Sequence, residues 1–286
     1  MKFLLKYSGF ILLVFSVNCV SSVIPQQPVN TNRESPSIPV ETNEEPKLMS
    51  DVFVTTDTLT EGDYSVVKLK KKVKIEETPD LTEVSYAVLK RKGKVLAKFD
   101  GVYFGLGNVT EFGLFPFLGG NARQLVVSQT IPRGGRHWIV NLSPNFRVIY
   151  DSADYGVGRE DLSVLDIDKD GRYEVLQEDV SFYGLDGFSM ADTPLPTVIF
   201  KYDEQARKYL PANHLFKDYA LKNIDKQSKM LDKTLRYIYA GEEQKGWAFF
   251  DREYKSSNKE DLKYKVTVIL KKDPVYKFIY AKSRTK

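Results

Sequence analysis

The chain has almost no thiol or imidazole side chains, with one cysteine and two histidines among its 286 residues. A single cysteine cannot form an intrachain disulfide, so packing, with or without a bound metal ion, must stabilise the fold. His137 and His214 lie far apart in the sequence, and no second thiol accompanies them. A zinc centre or a cysteine nucleophile therefore has little support.

The sequence also lacks an apolar run at its N-terminus that is long enough to span a bilayer as a mature helix. Residues 1–22 instead predict a secretory signal peptide, with basic Lys2 and Lys6 before the short apolar stretch Phe10 to Val17. Cys19 directly follows that stretch. Its position resembles the lipobox of bacterial lipoproteins, in which the cysteine is acylated and becomes the new N-terminus.

Plain secretion is the alternative to a lipid anchor. Cleavage after Val20-Ser21-Ser22 would also satisfy the preference for small residues, and it would discard Cys19. The next segment, residues 23–50, contains five prolines and few large apolar side chains, so we expect a disordered tether. Because Val20 and Ser21 do not resemble the aspartate signal for inner-membrane retention, a lipid-anchored form is expected at the outer membrane of the cell envelope.

Charge is distributed unevenly along the chain. Residues 20–212 carry 22 Lys and Arg against 28 Asp and Glu, whereas residues 213–286 carry 18 against 10. Solvated lysines on a basic helical region would explain this asymmetry without a ligand. An envelope protein or an anionic polymer could also bind there, and no nucleic-acid partner is expected.

The most informative motif is the stretch from Asp166 to Glu174. It places Asp166, Asp168 and Asp170 at alternate positions, followed by Gly171 and then Glu174. Calcium prefers about six to eight oxygen ligands, and the glycine allows a sharp turn around such an ion. Without a cation these carboxylates would repel one another, although an acidic surface turn remains the alternative. An EF-hand would need a glutamate at position twelve, where Gln177 stands.

Three hairpin-like units recur along the chain. They lie within Ser85–Ala97, His137–Tyr150 and Thr197–Leu210, and each pairs two apolar runs across a polar turn. Their spacing of about 50 to 60 residues is typical of blade-sized repeats.

A second repeated piece precedes two of these hairpins. The stretch Gly119–Val127 parallels Asp170–Leu176, with Gln124 at the position of Glu174. Apolar, β-favouring residues flank the acidic loop on both sides, so we expect it to join two strands.

The acidic loop and the strand after it resemble the calcium hairpin of FG-GAP and VCBS repeats, known from integrin-type β-propellers. The resemblance implies a structural calcium ion held by five residues: Asp166, Asp168, Asp170 and Glu174 through carboxylates, and Arg172 through its backbone carbonyl. About three units fit in the chain, which is too few for a closed seven-bladed ring. A partial propeller, an augmented sandwich and an open stack of sheets all remain open.

The last third of the chain changes to a helical pattern. Leu215 to Tyr239 predicts an amphipathic helix, and Trp247, Phe250 and Tyr254 repeat at helical spacing. Residues 259–271 fit either a helix or a strand, with helix favoured, and Pro274 ends that segment. The predicted fold class is therefore α+β: antiparallel β repeats over residues 51–212, propeller-like or sandwich, then a basic helical region over residues 213–286.

Other motifs have simpler structural explanations. Gly105-x-Gly107 and Gly119-Gly120 are predicted to be turns, and the aromatic run Phe112–Phe117 is predicted to be core. His137 could be imagined as a general base beside arginines, but a polar strand residue is the commoner case. We therefore expect a non-enzymatic cell-envelope lipoprotein with a calcium-stabilised β domain, acting in binding or assembly. The alternative is a secreted hydrolase with an acidic active site, which would need a pocket joining His137 to carboxylates outside the calcium loop.

Overall fold

The computed structural model describes residues 47–48, 57–74, 81–100, 108–131, 134–158, 162–185, 187–189, 191–222, 224 and 229–281. The predicted signal peptide, the lipidation site Cys19, nearly all of the predicted tether and Gly105-x-Gly107 lie outside these residues. No helix in the described part of the chain is long and apolar enough to cross a membrane.

The β part consists of three antiparallel sheets, each a meander of four strands in sequence order. A further two-residue strand, β1, pairs with β10 and extends the third sheet. The strands are β1 (Lys47–Leu48); β2 (Thr58–Glu61), β3 (Tyr64–Lys74), β4 (Leu81–Arg91) and β5 (Lys94–Phe99) in sheet 1; β6 (Asn108–Phe115), β7 (Gln124–Ile131), β8 (Gly134–Asn141) and β9 (Arg147–Asp151) in sheet 2; and β10 (Ser163–Leu165), β11 (Glu174–Glu178), β12 (Thr197–Asp203) and β13 (Lys208–Pro211) in sheet 3.

The three hairpins predicted from the sequence are present, and each forms the last two strands of its sheet. They are β4–β5, β8–β9 and β12–β13, with antiparallel pairing in all three. The predicted α+β class with mainly antiparallel β repeats is confirmed. The sheets repeat as separate layers and do not close into one barrel in the described part of the chain.

Sheet 2 is the central layer, because alternate side chains of its strands are buried on opposite faces. Leu125 and Val127 of β7 pack with Val66, Leu89 and Phe99 of sheet 1 in one apolar cluster. On the other face of sheet 2, a second cluster combines Val126, Ile139 and Tyr150 with Val175 and Phe200 of sheet 3. The aromatic residues of the run predicted as core, Phe112, Phe115 and Phe117, are buried, and so is Phe182. This two-sided burial explains why three consecutive apolar residues of β7, Leu125, Val126 and Val127, are all buried.

The C-terminal region is helical, and its apolar side chains join the cluster of sheet 3. A 3-10 helix, Ser152–Tyr155, follows β9. The α-helices are α1 (Lys217–Ala220), α2 (Met230–Tyr239), α3 (Glu243–Glu253), α4 (Lys259–Lys272) and α5 (Pro274–Ala281).

One helix prediction was wrong in its extent. The sequence predicted a single helix from Leu215 to Tyr239, whereas the described residues there form α1 and α2 as separate helices. Lys229, just before α2, has an extended backbone with ψ of 154°, which interrupts the helix.

The ambiguous segment before Pro274 is a helix, as favoured from its sequence. It ends at Lys272, and Pro274 begins the next helix, α5. Proline suits the first helical position, because the amide hydrogen that it lacks would have no partner inside the helix. The Asp273 carboxylate accepts hydrogen bonds from the backbone N–H groups of Val275 and Tyr276, at 2.9 and 3.0 Å, and caps α5.

The loops before β7 and β11 contact each other. The first runs from Phe115 to Gln124 and the second from Leu165 to Glu174, so they have equal length. The backbone N–H of Tyr173 donates to the carbonyl of Phe117 at 2.9 Å. Gly119 has a φ of +74°, and a side chain there would meet the carbonyl oxygen of Gly171.

Close approach of these loops predicts a difference between two adjacent glycine substitutions. Both Gly119→Ala and Gly120→Ala place alanine at positive φ, which costs roughly 1–2 kcal/mol. Only the Gly119 variant also collides with backbone, since nothing lies within 4 Å of a side chain at Gly120. We expect chemical denaturation to show Gly119→Ala the less stable of the two by about 1–3 kcal/mol. Equal stabilities would contradict the packing of the two loops.

Candidate metal centre

The acidic loop joins β10 to β11, as its flanking residues predicted. Its turn contains two residues with left-handed backbone, Lys169 at φ +59° and Gly171 at φ +83°. Glycine adopts this conformation without a steric penalty, which explains the requirement for Gly171 at the bend. The turn folds the first aspartate back towards the start of β11.

Three carboxylates of the loop come together. One oxygen each from Asp166, Asp168 and Glu174 lies within 4.8 Å of the other two. Glu174 is the first residue of β11 and is only 1% exposed; its Oε2 accepts a hydrogen bond from the backbone N–H of Ile167 at 2.8 Å. Asp166 Oδ2 accepts from the N–H of Gly171 at 3.0 Å. Its buried Oδ1 has no hydrogen-bond partner within the described residues.

A lysine from the neighbouring strand lies at this cluster. Lys201 follows Phe200 of β12, which pairs with Val175, and its side chain therefore emerges beside Glu174. The ammonium group forms ion pairs with Asp168, with Asp170 at 2.9 Å and with Glu174 at 3.5 Å. Sequence reasoning missed Lys201, because only the register of β12 against β11 brings it to the loop.

The pKa shifts follow from burial and from this lysine. Burial raises the pKa of Glu174 to about 7, against the opposing effects of the Ile167 N–H and Lys201. Burial acts to lower the pKa of Lys201, but hydrogen bonds to Asp168 and Asp170 outweigh it and the pKa is raised. The ammonium therefore stays charged and compensates the carboxylates.

The other two predicted ligands are placed differently. Asp170 does not belong to the group of three converging carboxylates; its Oδ1 accepts from the N–H of Arg172 at 2.9 Å, and its Oδ2 contacts Lys201. Burial acts to raise the pKa of Asp170, and these hydrogen bonds outweigh that effect and lower it. The side chain of Arg172 pairs with Glu204 at 2.5 Å. Ligation by Asp170 and by the Arg172 carbonyl stays a prediction.

The parallel drawn between Gln124 and Glu174 has a structural basis. Each is the buried first residue of the second strand in its four-stranded meander. Gln124 Oε1 accepts a hydrogen bond from the N–H of Leu118 at 3.2 Å, much as Glu174 accepts from Ile167. A hydrogen bond to the neutral Gln124 amide thus stabilises the loop before β7, and this loop contains no carboxylates of its own.

The donor set at the second loop fits a divalent cation. All its ligand atoms are carboxylate oxygens, which suit hard cations such as calcium, magnesium or manganese. The partnerless Oδ1 of Asp166 is an available ligand atom, and Glu174 contributes a second from the strand. The geometry does not by itself select calcium. Ion binding would also require the Lys201 ammonium to move away.

The histidines lie elsewhere. His137 is the fourth residue of β8, inside the strand rather than at its start, and is buried. Its Nδ1 lies 3.0 Å from the hydroxyl of Ser128, its register partner on β7. His214 lies between β13 and α1, and its Cβ is 3.3 Å from where a side chain added at Gly241 would begin. The predicted turn at Gly119-Gly120 is also present.

Comparison with known proteins gives no assignment. No protein-family model matches this sequence, and no curated protein or solved structure is detectably similar to it.

Removal of the resident ammonium should destabilise the metal-free protein. Lys201→Met keeps the aliphatic stem but leaves the buried Glu174 without its cation, at a cost of about 1–3 kcal/mol of unfolding free energy. Lys98→Met, at an exposed lysine of β5, is the control and should change stability by less than about 0.5 kcal/mol. Denaturant titrations in the presence of a chelator measure both values. Equal effects would show that Lys201 compensates nothing.

Proposed function

We propose that the protein is a cell-envelope lipoprotein whose β part is stabilised by a divalent cation, calcium in the first instance, and acts in binding or assembly. The observation that carries the proposal is the convergence of the Asp166, Asp168 and Glu174 carboxylates within 4.8 Å. The buried Asp166 oxygen without a partner adds to it. A bound cation would stabilise such a site, because it would neutralise the carboxylates and contact the unpaired oxygen.

The ion's role in this proposal is structural. Asp166 and Asp168 lie on the loop and Glu174 on β11, so a cation held by all three fixes the loop to the strand. When bound, calcium would neutralise the repulsion among these carboxylates. The resemblance to FG-GAP and VCBS calcium hairpins supports calcium over magnesium. Three successive four-stranded meanders also agree with propeller-like blades.

The proposed location rests on the N-terminal sequence. An acylated Cys19 followed by the proline-rich tether of residues 23–50 would hold the folded part away from a membrane, with the outer membrane favoured. The partners would then be the membrane, through the lipid, and an envelope protein or anionic polymer. Without acylation the protein would be secreted.

The hydrolase alternative gains no specific support from the described residues. It needed an accessible pocket joining His137 to carboxylates outside the acidic loop. The imidazole of His137 is only 1% exposed and lies against Ser128 in the sheet. Binding or assembly therefore remains the proposed role.

Calcium titration of thermal unfolding tests the metal site. We expect the melting temperature to rise with calcium, because an ion that binds only the folded state stabilises it by about 2.7 kcal/mol at a hundred times its Kd. The double variant Asp168→Ala and Asp170→Ala should lose this calcium response, whereas Glu260→Gln, an exposed change on α4, should keep it. A native protein that melts at the same temperature in calcium and in chelator would contradict the site.

Substitution of Lys201 tests the same metal site in a second way. Because the Lys201 ammonium competes for the same oxygens, Lys201→Gln should bind calcium at least about tenfold more tightly than the native protein, a difference of about 1.4 kcal/mol. Isothermal titration calorimetry measures both affinities. Equal or weaker binding by the variant would show that the ammonium does not occupy the ion's position.

Fatty-acid labelling in the host tests the anchor separately. The native chain should incorporate a radioactive fatty acid, and Cys19→Ala should abolish the label while leaving the fold unchanged. Circular dichroism of both proteins provides the control for folding. An unlabelled native protein would indicate plain secretion.

A further inference from the structure

A second group of buried acidic side chains lies where sheet 3 meets the helices. Asp179 follows the last residue of β11, Tyr239 is the last residue of α2, and Asp273 directly precedes α5. All three are at most 2% exposed. The Tyr239 hydroxyl contacts Asp179 Oδ2 and, at 2.6 Å, Asp273 Oδ2. Nothing in the sequence pattern predicted this cluster.

The single hydrogen of the Tyr239 phenol limits which hydrogen bonds this cluster can form. A phenol has one hydrogen, so Tyr239 can donate to only one of the two carboxyl groups. The contact with the other carboxyl is a hydrogen bond only if that carboxyl carries a proton and donates it to the phenol oxygen. Both contacts are therefore hydrogen bonds only when the three groups carry two hydrogens, one on the Tyr239 phenol and one on a carboxyl group.

The surroundings identify which aspartate carries the proton. Asp273 uses both carboxylate oxygens to accept backbone N–H groups, from Val275 and Tyr276, at the N-terminus of α5. This position favours a negative charge. Asp179 instead follows strand β11, away from a helix N-terminus. Its Oδ1 accepts from the N–H of Ser181 at 2.7 Å, the Ser181 side chain also bonds this carboxyl group, and its Oδ2 contacts Tyr239. The proton therefore belongs on Asp179 Oδ2.

The electrostatics agree with this assignment. Burial, and then the nearby charge of Asp273, raise the pKa of Asp179 to about 7. Burial also raises the pKa of Asp273, whereas its hydrogen bonds from Tyr239 and the backbone and the charge of Lys277 on α5 act in the opposite direction. Burial and the two carboxylates keep the pKa of Tyr239 well above its usual value, so the phenol stays protonated.

We infer that Asp179, Tyr239 and Asp273 form a proton-held latch between sheet 3 and helices α2 and α5. In the closed latch, Asp179 donates to Tyr239, which donates to the ionised Asp273. Loss of the Asp179 proton leaves two carboxylates facing one phenol in a buried site, and the repulsion loosens the helices from the sheet. The latch uses none of the groups in the metal centre.

The latch makes stability depend on pH with a defined sign. An aspartate in the unfolded chain loses its proton near pH 4, whereas folded Asp179 retains it up to about pH 7. Between these values the folded state binds one more proton than the unfolded state, so stability falls as pH rises through this window. Above this pH window Asp179 has lost its proton in both states, so it no longer makes the unfolding free energy depend on pH.

Urea unfolding from pH 5 to 8 tests the latch by comparison of the native protein with Asp179→Asn. The asparagine amide can donate to Tyr239 permanently and still accept from Ser181, so it replaces the protonated carboxyl. Relative to this variant, the native unfolding constant should increase by up to about tenfold per pH unit between pH 5 and 7. Asp273→Asn is the matched control, and it should lower stability at every pH. Asparagine has a single accepting oxygen, so one of the two backbone N–H groups at the start of α5 would lose its hydrogen bond.

Carbon NMR of the aspartate carboxyl groups in the native protein gives a test that needs no variant. We expect one buried aspartate to remain protonated at pH 5 and to titrate near pH 7, and Asp179→Asn, where it folds, to remove that signal. The latch is refuted if both buried carboxyls are ionised at pH 5. It is also refuted if Asp179→Asn retains the full pH dependence of the native protein.

Discussion

A carboxylate can be buried in this protein only where its charge is compensated, and strand β11 meets this requirement at both ends. Glu174 opens the strand and Asp179 follows it, and both are almost completely buried. At the first end the ammonium of Lys201 supplies the compensation, and a divalent cation could replace it. At the other end a proton shared through Tyr239 serves the same purpose. Desolvation of an uncompensated charge would cost several kcal/mol, more than most single contacts contribute.

This arrangement gives the three sheets different roles. Sheets 1 and 2 meet through aliphatic and aromatic side chains, and sheet 2 also packs on sheet 3. Sheet 3 adds two buried acidic sites, separated by about 17 Å along β11 at the usual rise per residue. One site fixes the loop before the strand, and the other joins the strand to the helices. The placement of the loop and of the helices thus depends on compensation of the two buried carboxyl groups at the ends of β11.

Periodic and local patterns could be read from the sequence, whereas contacts distant in sequence could not. The hairpins, the loop between β10 and β11 and the helix before Pro274 depend on local alternation and turn residues, and all are present. The break between α1 and α2 was missed because apolar spacing continued across it. Lys201 reaches the loop only through strand register, and Asp179, Tyr239 and Asp273 meet only in the folded chain. The identity of the ion and the acylation of Cys19 stay predictions.

The most direct test of charge compensation at β11 is a pair of crystal structures, one grown with calcium and one with chelator. With calcium, we expect an ion about 2.3–2.6 Å from oxygens of Asp166, Asp168 and Glu174, and the Lys201 ammonium turned away from them. With chelator, we expect that ammonium among the carboxylates. A calcium structure without an ion at these carboxylates, or a chelator structure in which Glu174 stays buried and the Lys201 ammonium lies away from it, would contradict this explanation.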